Sequence, residues 1–217
     1  MPRMKIFNTL EQATFDTPPV FNSTERKQFF ALPLMLQDAM AGLRTPTNKV
    51  CFLAAVGYFK ARRKFFARNV NSADIDYIAR QLNLSIADVD VTSYTKFACI
   101  HHQRIILDYF GCRPFDATTM AFAKSEIAML APVQYQPKQI LIEIIQILSR
   151  EKIEVPSYNV LADLIITAIS QHKHTLSNII HHGLNETQRS KLDALLEKEN
   201  DNTTTEGWHY RLTLLKR

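Results

Sequence analysis

Apolar residues recur along this chain at intervals of three and four, and nowhere does a sustained apolar–polar alternation appear. That spacing predicts helices and no convincing strand. The first start signal is "NSTERKQFFALP", where Asn22 or Ser23 can cap a short helix that Pro33 closes. "TPTNKVCFLAAVGYFKARRKFF" predicts a second helix with Pro46 in its first turn, and Val50, Leu53, Ala54, Gly57 and Phe59 are too apolar to face water. "NSADIDYIARQLNLSIADVDV" predicts a helix carrying Ile75, Ile78, Ala79 and Leu82, a turn at Asn83, and a second short helix over 85–89.

"SYTKFACIHHQRIILDYFGCRPF" predicts a further helix closed by Gly111, and "DATTMAFAKSEIAMLA" one capped by Asp116. In "PKQILIEIIQILSREKIEVP" a narrow polar stripe of Gln139, Glu143, Gln146 and Arg150 marks a mostly buried helix. A long helix follows over 157–182, with Leu161, Ile165, Ala168, Leu176 and Ile179 inward. A last amphipathic helix lies in "GLNETQRSKLDALLEKEN". "DNTTTEG" reads as a linker, and "WHYRLTLLKR" after it as the start of a following domain. The expected fold is therefore all-α. It comprises an arm over 1–22, a first helical module over 23–113, a second over 114–199, and the start of something longer over 200–217.

Composition changes little in that picture; 46% hydrophobic residues and only five glycines suit a helical chain with a real core. The three cysteines, Cys51, Cys99 and Cys112, are too widely spaced for a zinc pattern. An odd number in this setting points to core thiols in a reducing cytoplasm. No signal peptide is recognisable in "MPRMKIFNTLEQ", and the apolar run over 140–148 is too short to span a bilayer. A soluble, cytoplasmic protein with no membrane role is expected.

Charge changes the picture more. The net charge is only +5, but no acidic residue lies between Asp38 and Asp74, while Arg44, Lys49, Lys60, Arg62, Arg63, Lys64 and Arg68 all do. A solvated face normally mixes signs, so a single-sign stretch on a phenylalanine-anchored helix suits phosphate contact. At about 100° per residue Lys60, Arg63 and Lys64 share one arc, with Arg68 beside them if the helix persists. Ala79, Asn83 and Val89 also fit the spacing of a helix-turn-helix, although Asp88 and Asp90 would repel phosphate from its second limb. A plain helical corner is the competing explanation.

Catalytic signals are lacking: there is no phosphate-cradling glycine loop, nucleophile elbow or paired-carboxylate spacing. His174 and His181 could share a helix face, but nothing joins them at ligand spacing. The histidines read as polar helix surface, with neither a metal nor a catalytic residue expected.

Taken in order, "FNSTERKQFFALP", "NKVCFLAAVGYFKARRKFF", "IDYIARQLNLSIADV", "HHQRIILDYFGCRPF", "IEVPSYNVLADLI" and "GLNETQRSKLDALL" resemble the N-terminal region of replicative transposases of the Tn-three family, over residues 21–196. Within the fourth motif His102, Ile106, Gly111, Arg113 and Phe115 match the family's wording. The resemblance implies helical DNA-binding modules that recognise terminal inverted repeats. It places the magnesium-dependent carboxylate triad much further along a longer polypeptide, with no cofactor in this segment.

The expected partner is double-stranded DNA at transposon ends, at the nucleoid, with the rest of the transposase a second partner and self-association open. The candidate DNA contacts are Asn48, Lys49, Lys60, Arg63, Lys64, Arg68, Arg104 and Arg113, with Arg62 either bracing or binding. The second module offers a sparser set in Lys138, Arg150, Lys152 and Lys173. Two rivals stand beside this: a scaffold whose basic block binds an acidic protein, and a small metal-dependent nuclease.

Overall fold

A computed structural model describes residues 5–134 and 136–196. Ten α-helices and three short 3-10 turns make up its regular structure, and the described residues contain one isolated β-bridge and no strand. The chain divides into two compact units between Ser170 and Gln171.

Two large hydrophobic cores and a small cluster of Cys51, Tyr94 and Cys99 fill the first unit, and the chain passes from the first large core to the second after Cys112. The first is built around helix α4 (Pro46–Arg62), which Thr45 caps and Pro46 opens. Ten of its seventeen residues are buried, including Val50, Leu53, Ala54, Gly57 and Phe59, as the apolar pattern predicts. Packed around it are α2 (Ser23–Phe29), α3 (Gln37–Ala41), α5 (Ser72–Gln81) and α6 (Lys96–Phe110). Gly57 lets α2 come close. A Cβ there would lie 2.5 Å from Phe30 Cε1, and that ring is fully buried among Phe21, Tyr58 and Tyr77.

The second core joins α7 (Ala117–Leu130), α8 (Pro137–Arg150) and the first half of α9 (Tyr158–Gly183). Asp116 caps α7 as expected, its side chain accepting from the N–H groups of Thr118 and Thr119 while its own N–H donates to the Thr119 hydroxyl. Residues 5–21 hold a helix of their own and contacts to the second core. Asn8 and Glu11 form a reciprocal capping box that starts α1 (Thr9–Asp16). Phe7 stacks on Tyr158 at 5.3 Å, and Ile6 is buried in the second core. Ala168 and Ile169 are the last residues of α9 in the second core.

Three expectations need correction. Helix α4 stops at Arg62, because Arg63 turns into the left-handed region (φ 52°) and its N–H caps the Phe59 carbonyl. The arc that was to carry Lys60, Arg63 and Lys64 therefore does not exist. After α5 the turn does come at Asn83 (φ 52°), but Ile86–Asp88 is one 3-10 turn rather than a second helix. Five residues, closed by β-branched Val89 and followed by Asp90, cannot repay helix nucleation there. Finally, Leu176 and Ile179 are exposed rather than inward.

The second unit holds the end of α9 and α10 (Glu186–Leu196). Asn185 and Gln188 exchange side-chain and backbone hydrogen bonds at the start of α10, fixing the turn between the two helices.

His102 is also not surface. It is 2% exposed, lies edge-on to Phe52, and pairs through Nδ1 with the Tyr94 hydroxyl at 2.8 Å. Burial, helped by neighbouring His101, drops its pKa to about 4. In the unfolded chain the ring takes up a proton near pH 6.5, while the folded protein refuses one until about pH 4. Stability should therefore be full above pH 6.5 and fall by about 2–3 kcal/mol as pH drops to 4. Urea unfolding across that window should show the loss, and His102→Gln should flatten it. A wild-type profile as flat as the variant's would contradict this.

Candidate nucleic-acid interface

The basic stretch separates into side chains that serve the fold and side chains that face solvent. Lys60 reaches back to the end of α2, where its Nζ donates to the carbonyls of Gln28, Phe29 and Ala31 at 3.1–3.2 Å. These are carbonyls that a short helix leaves unpaired, so Lys60 acts as a C-cap. Its partial burial lowers its pKa. The Arg63 guanidinium lies over the rings of Phe59 and Phe110, at 5.7 and 5.2 Å from their centroids. Its backbone carbonyl accepts from Val155 N–H at 2.8 Å.

Lys64 is the most committed of the three. Only 5% exposed, it pairs with Asp16 Oδ1 at 2.5 Å, donates to the Phe15 carbonyl at 3.0 Å, and sits 3.7 Å from the centre of the Phe15 ring. Burial pushes its pKa down and Asp16 pulls it partly back up. These three cations join the elements around α4 to one another and to α1. They do not present one open face.

Arg62, Arg68, Arg104 and Arg113 are exposed, and none forms an ion pair with a described residue. Arg62 ends α4. Arg68 follows Ala67, whose carbonyl lies 3.7 Å from Cys99 Sγ, so its loop runs along the first half of α6. Arg104 stands on the outer side of α6. Arg113 is held by its backbone, which exchanges hydrogen bonds with Lys152 and Glu154 at 2.8 and 2.9 Å. Asn48 and Lys49 are half-buried in the first turn of α4, where the Asn48 N–H donates to the Thr45 cap. In the second core Lys138 is taken up by Glu11 and Arg150 by Glu151, while Lys152 stays exposed. Lys173 belongs to the second unit, on an open groove with Leu176 and Ile180.

Two features escape a reading of the sequence. Asp74 is completely buried and accepts from Arg26, Tyr58 and Asn71, so the acid-free interval ends in a core network rather than a solvated carboxylate. Phe97 is 85% exposed and Ile100 41% exposed on α6. The phase of that helix could have shown it, since Cys99, His102 and Ile106 point inward and leave Phe97 and Ile100 on the opposite side.

No group of three or more His, Cys, Asp or Glu among the described residues is placed to hold a metal ion. No described helix is long and apolar enough to cross a membrane. A search of curated proteins finds no match to the chain. Residues 6–168, which take in both cores and α1 through most of the buried part of α9, match the model of one family, and on that match the chain belongs to the family described as Domain of unknown function (DUF4158).

Proposed function

We propose that the chain binds double-stranded DNA and recognises the terminal inverted repeats of a transposon, as the N-terminal part of a transposase. The observation that carries this is the set of exposed arginines Arg62, Arg68, Arg104 and Arg113 on the first unit, none of which forms an ion pair among the described residues. A fold that satisfies three neighbouring cations internally yet leaves these four exposed retains a surface suited to phosphate. The family is one found in Tn-three family transposases, and the six ordered motifs resemble the N-terminal region of those proteins. On this reading strand transfer belongs to another part of the transposase, this segment needs no cofactor, and the protein works at the nucleoid.

Fluorescence anisotropy with end-repeat and scrambled duplexes across a salt series tests the proposal. Binding should weaken steeply with salt. Alanine at Arg62, Arg68, Arg104 or Arg113 should each lower the log–log salt slope by roughly 0.9 where that side chain meets a phosphate. End-repeat DNA should outcompete scrambled duplex. Equal competition would remove the specificity, and no binding at low salt would remove the function.

A second reading, a scaffold for protein contacts, is favoured by Leu176, Ile179 and Ile180. These are 44–61% exposed on the second unit.

A further inference from the structure

The outer face of α6 is unusual for a helix that also helps to build a core. Phe97, Ile100, His101, Arg104 and Asp108 fall within about 100° of arc and are all exposed. Lys96 borders them, and Thr95 caps the helix by accepting from the Ala98 N–H. The two apolar side chains lie in the first turn and a half. From Lys96 to Arg104 the helix carries no carboxylate, and Asp108 stands about 6 Å further along the axis.

We infer that this face is the part of the chain that reads DNA, entering the major groove so that Phe97 and Ile100 meet thymine methyl groups. The inference rests on the proposed DNA binding and adds the element and the chemistry of readout. An α-helix fits the groove, and its first turns are the part that reaches base edges. In the groove the thymine C5-methyl is the apolar feature, and an exposed phenylalanine and isoleucine are complementary to it. Arg104 and Lys96 flank them with charge suited to phosphate or guanine, and Arg68 adds positive charge beside the same helix.

The nearest acids of the preceding segment do not oppose this strongly. Asp90 is turned back on its own chain, accepting from the Thr92 N–H and hydroxyl at 2.9 and 2.6 Å. Asp88 lies in the 3-10 turn Ile86–Asp88, outside α6. A protein-docking face would be expected to gather more than two apolar side chains and to exclude charge from its centre. Here cationic side chains adjoin the apolar pair directly.

The test uses the full chain and one A·T-only duplex of mixed sequence, prepared once with thymine and once with uracil, which lacks the methyl. Wild-type protein should prefer the thymine duplex by about fourfold for each methyl buried. The double substitution Phe97→Ala, Ile100→Ala should abolish that preference, leave the salt slope unchanged and barely move the melting temperature, because both side chains face water. Any difference in duplex shape between thymine and uracil would persist in the variant. Equal binding of both duplexes by wild-type protein would overturn the readout while leaving DNA binding intact. A preference unchanged in the variant would assign the methyl contact elsewhere and make this face a site for protein. Failure to bind either duplex at low salt would overturn the DNA-binding proposal itself.

Discussion

Replacing Asp74 by alanine is expected to cost about 3–5 kcal/mol of folding stability, the largest single effect in the first core. Its side chain is fully buried, and its two oxygens organise three elements at once. Oδ1 accepts from Arg26 Nε of α2 at 2.7 Å, and Oδ2 accepts from the Tyr58 hydroxyl of α4 at 2.7 Å. Asn71 adds a longer bond to Oδ2 at 3.3 Å and donates from the same amide to the Pro19 carbonyl. Alanine would leave a guanidinium with 20% exposure and a buried hydroxyl without their acceptor. The cost comes from those stranded donors more than from the lost attraction. Asparagine should cost less, since one oxygen can still accept, but its NH2 would face a donor. Urea unfolding monitored by circular dichroism measures the loss. A change below about 1 kcal/mol would mean that the donors find other partners.

The second large effect separates two residues that share one ion pair. Asp16→Ala should destabilise by about 2–4 kcal/mol, because it leaves the Lys64 ammonium buried with the Phe15 carbonyl as its remaining acceptor. It also removes the acceptor for the Tyr158 N–H at the start of α9. Adding Lys64→Met to Asp16→Ala should recover a good part of the loss, since an unbranched apolar side chain fills the same channel without a charge to satisfy. Chemical denaturation of the two single variants and the double variant measures the coupling. Additive losses would show that the pair is not energetically linked. An alanine at Lys64 would weaken any ligand binding through the fold, so a binding loss there localises nothing unless melting is followed alongside.

Those two sites show what a single sequence could and could not disclose. Features decided within a few residues were legible: Pro46 at the first turn of α4, Asp116 before α7, Gly111 after α6, and the turn at Asn83. The buried shaft of α4 was legible because its apolar run is too dense for any solvated helix. The state of each cation was not, because it is decided by distant partners. Lys64 finds Asp16 across 48 residues, and Lys60 finds carbonyls 29–32 residues away. A run of one charge sign shows that no neighbour in sequence neutralises it, and says nothing of neighbours in space. The stop at Arg62 was hidden for a related reason. A left-handed arginine has no local signature, and this one is held by aromatic rings and by Val155 from elsewhere in the chain. Helix α1 went unseen because its eight residues bury no residue fully and carry little pattern.

Arg63 and Lys64 lie where the first core meets α1 and the second. The Arg63 carbonyl takes the Val155 N–H, Lys64 takes Asp16, and the backbone of Arg113 is clasped between Lys152 and Glu154. A hinge needs a strip of chain whose hydrogen bonds are satisfied by water and can be exchanged freely. Here that strip is riveted on both sides. Such clasping favours a ruler of fixed length over beads on a string, and a ligand gripped by both cores would then have to match their spacing.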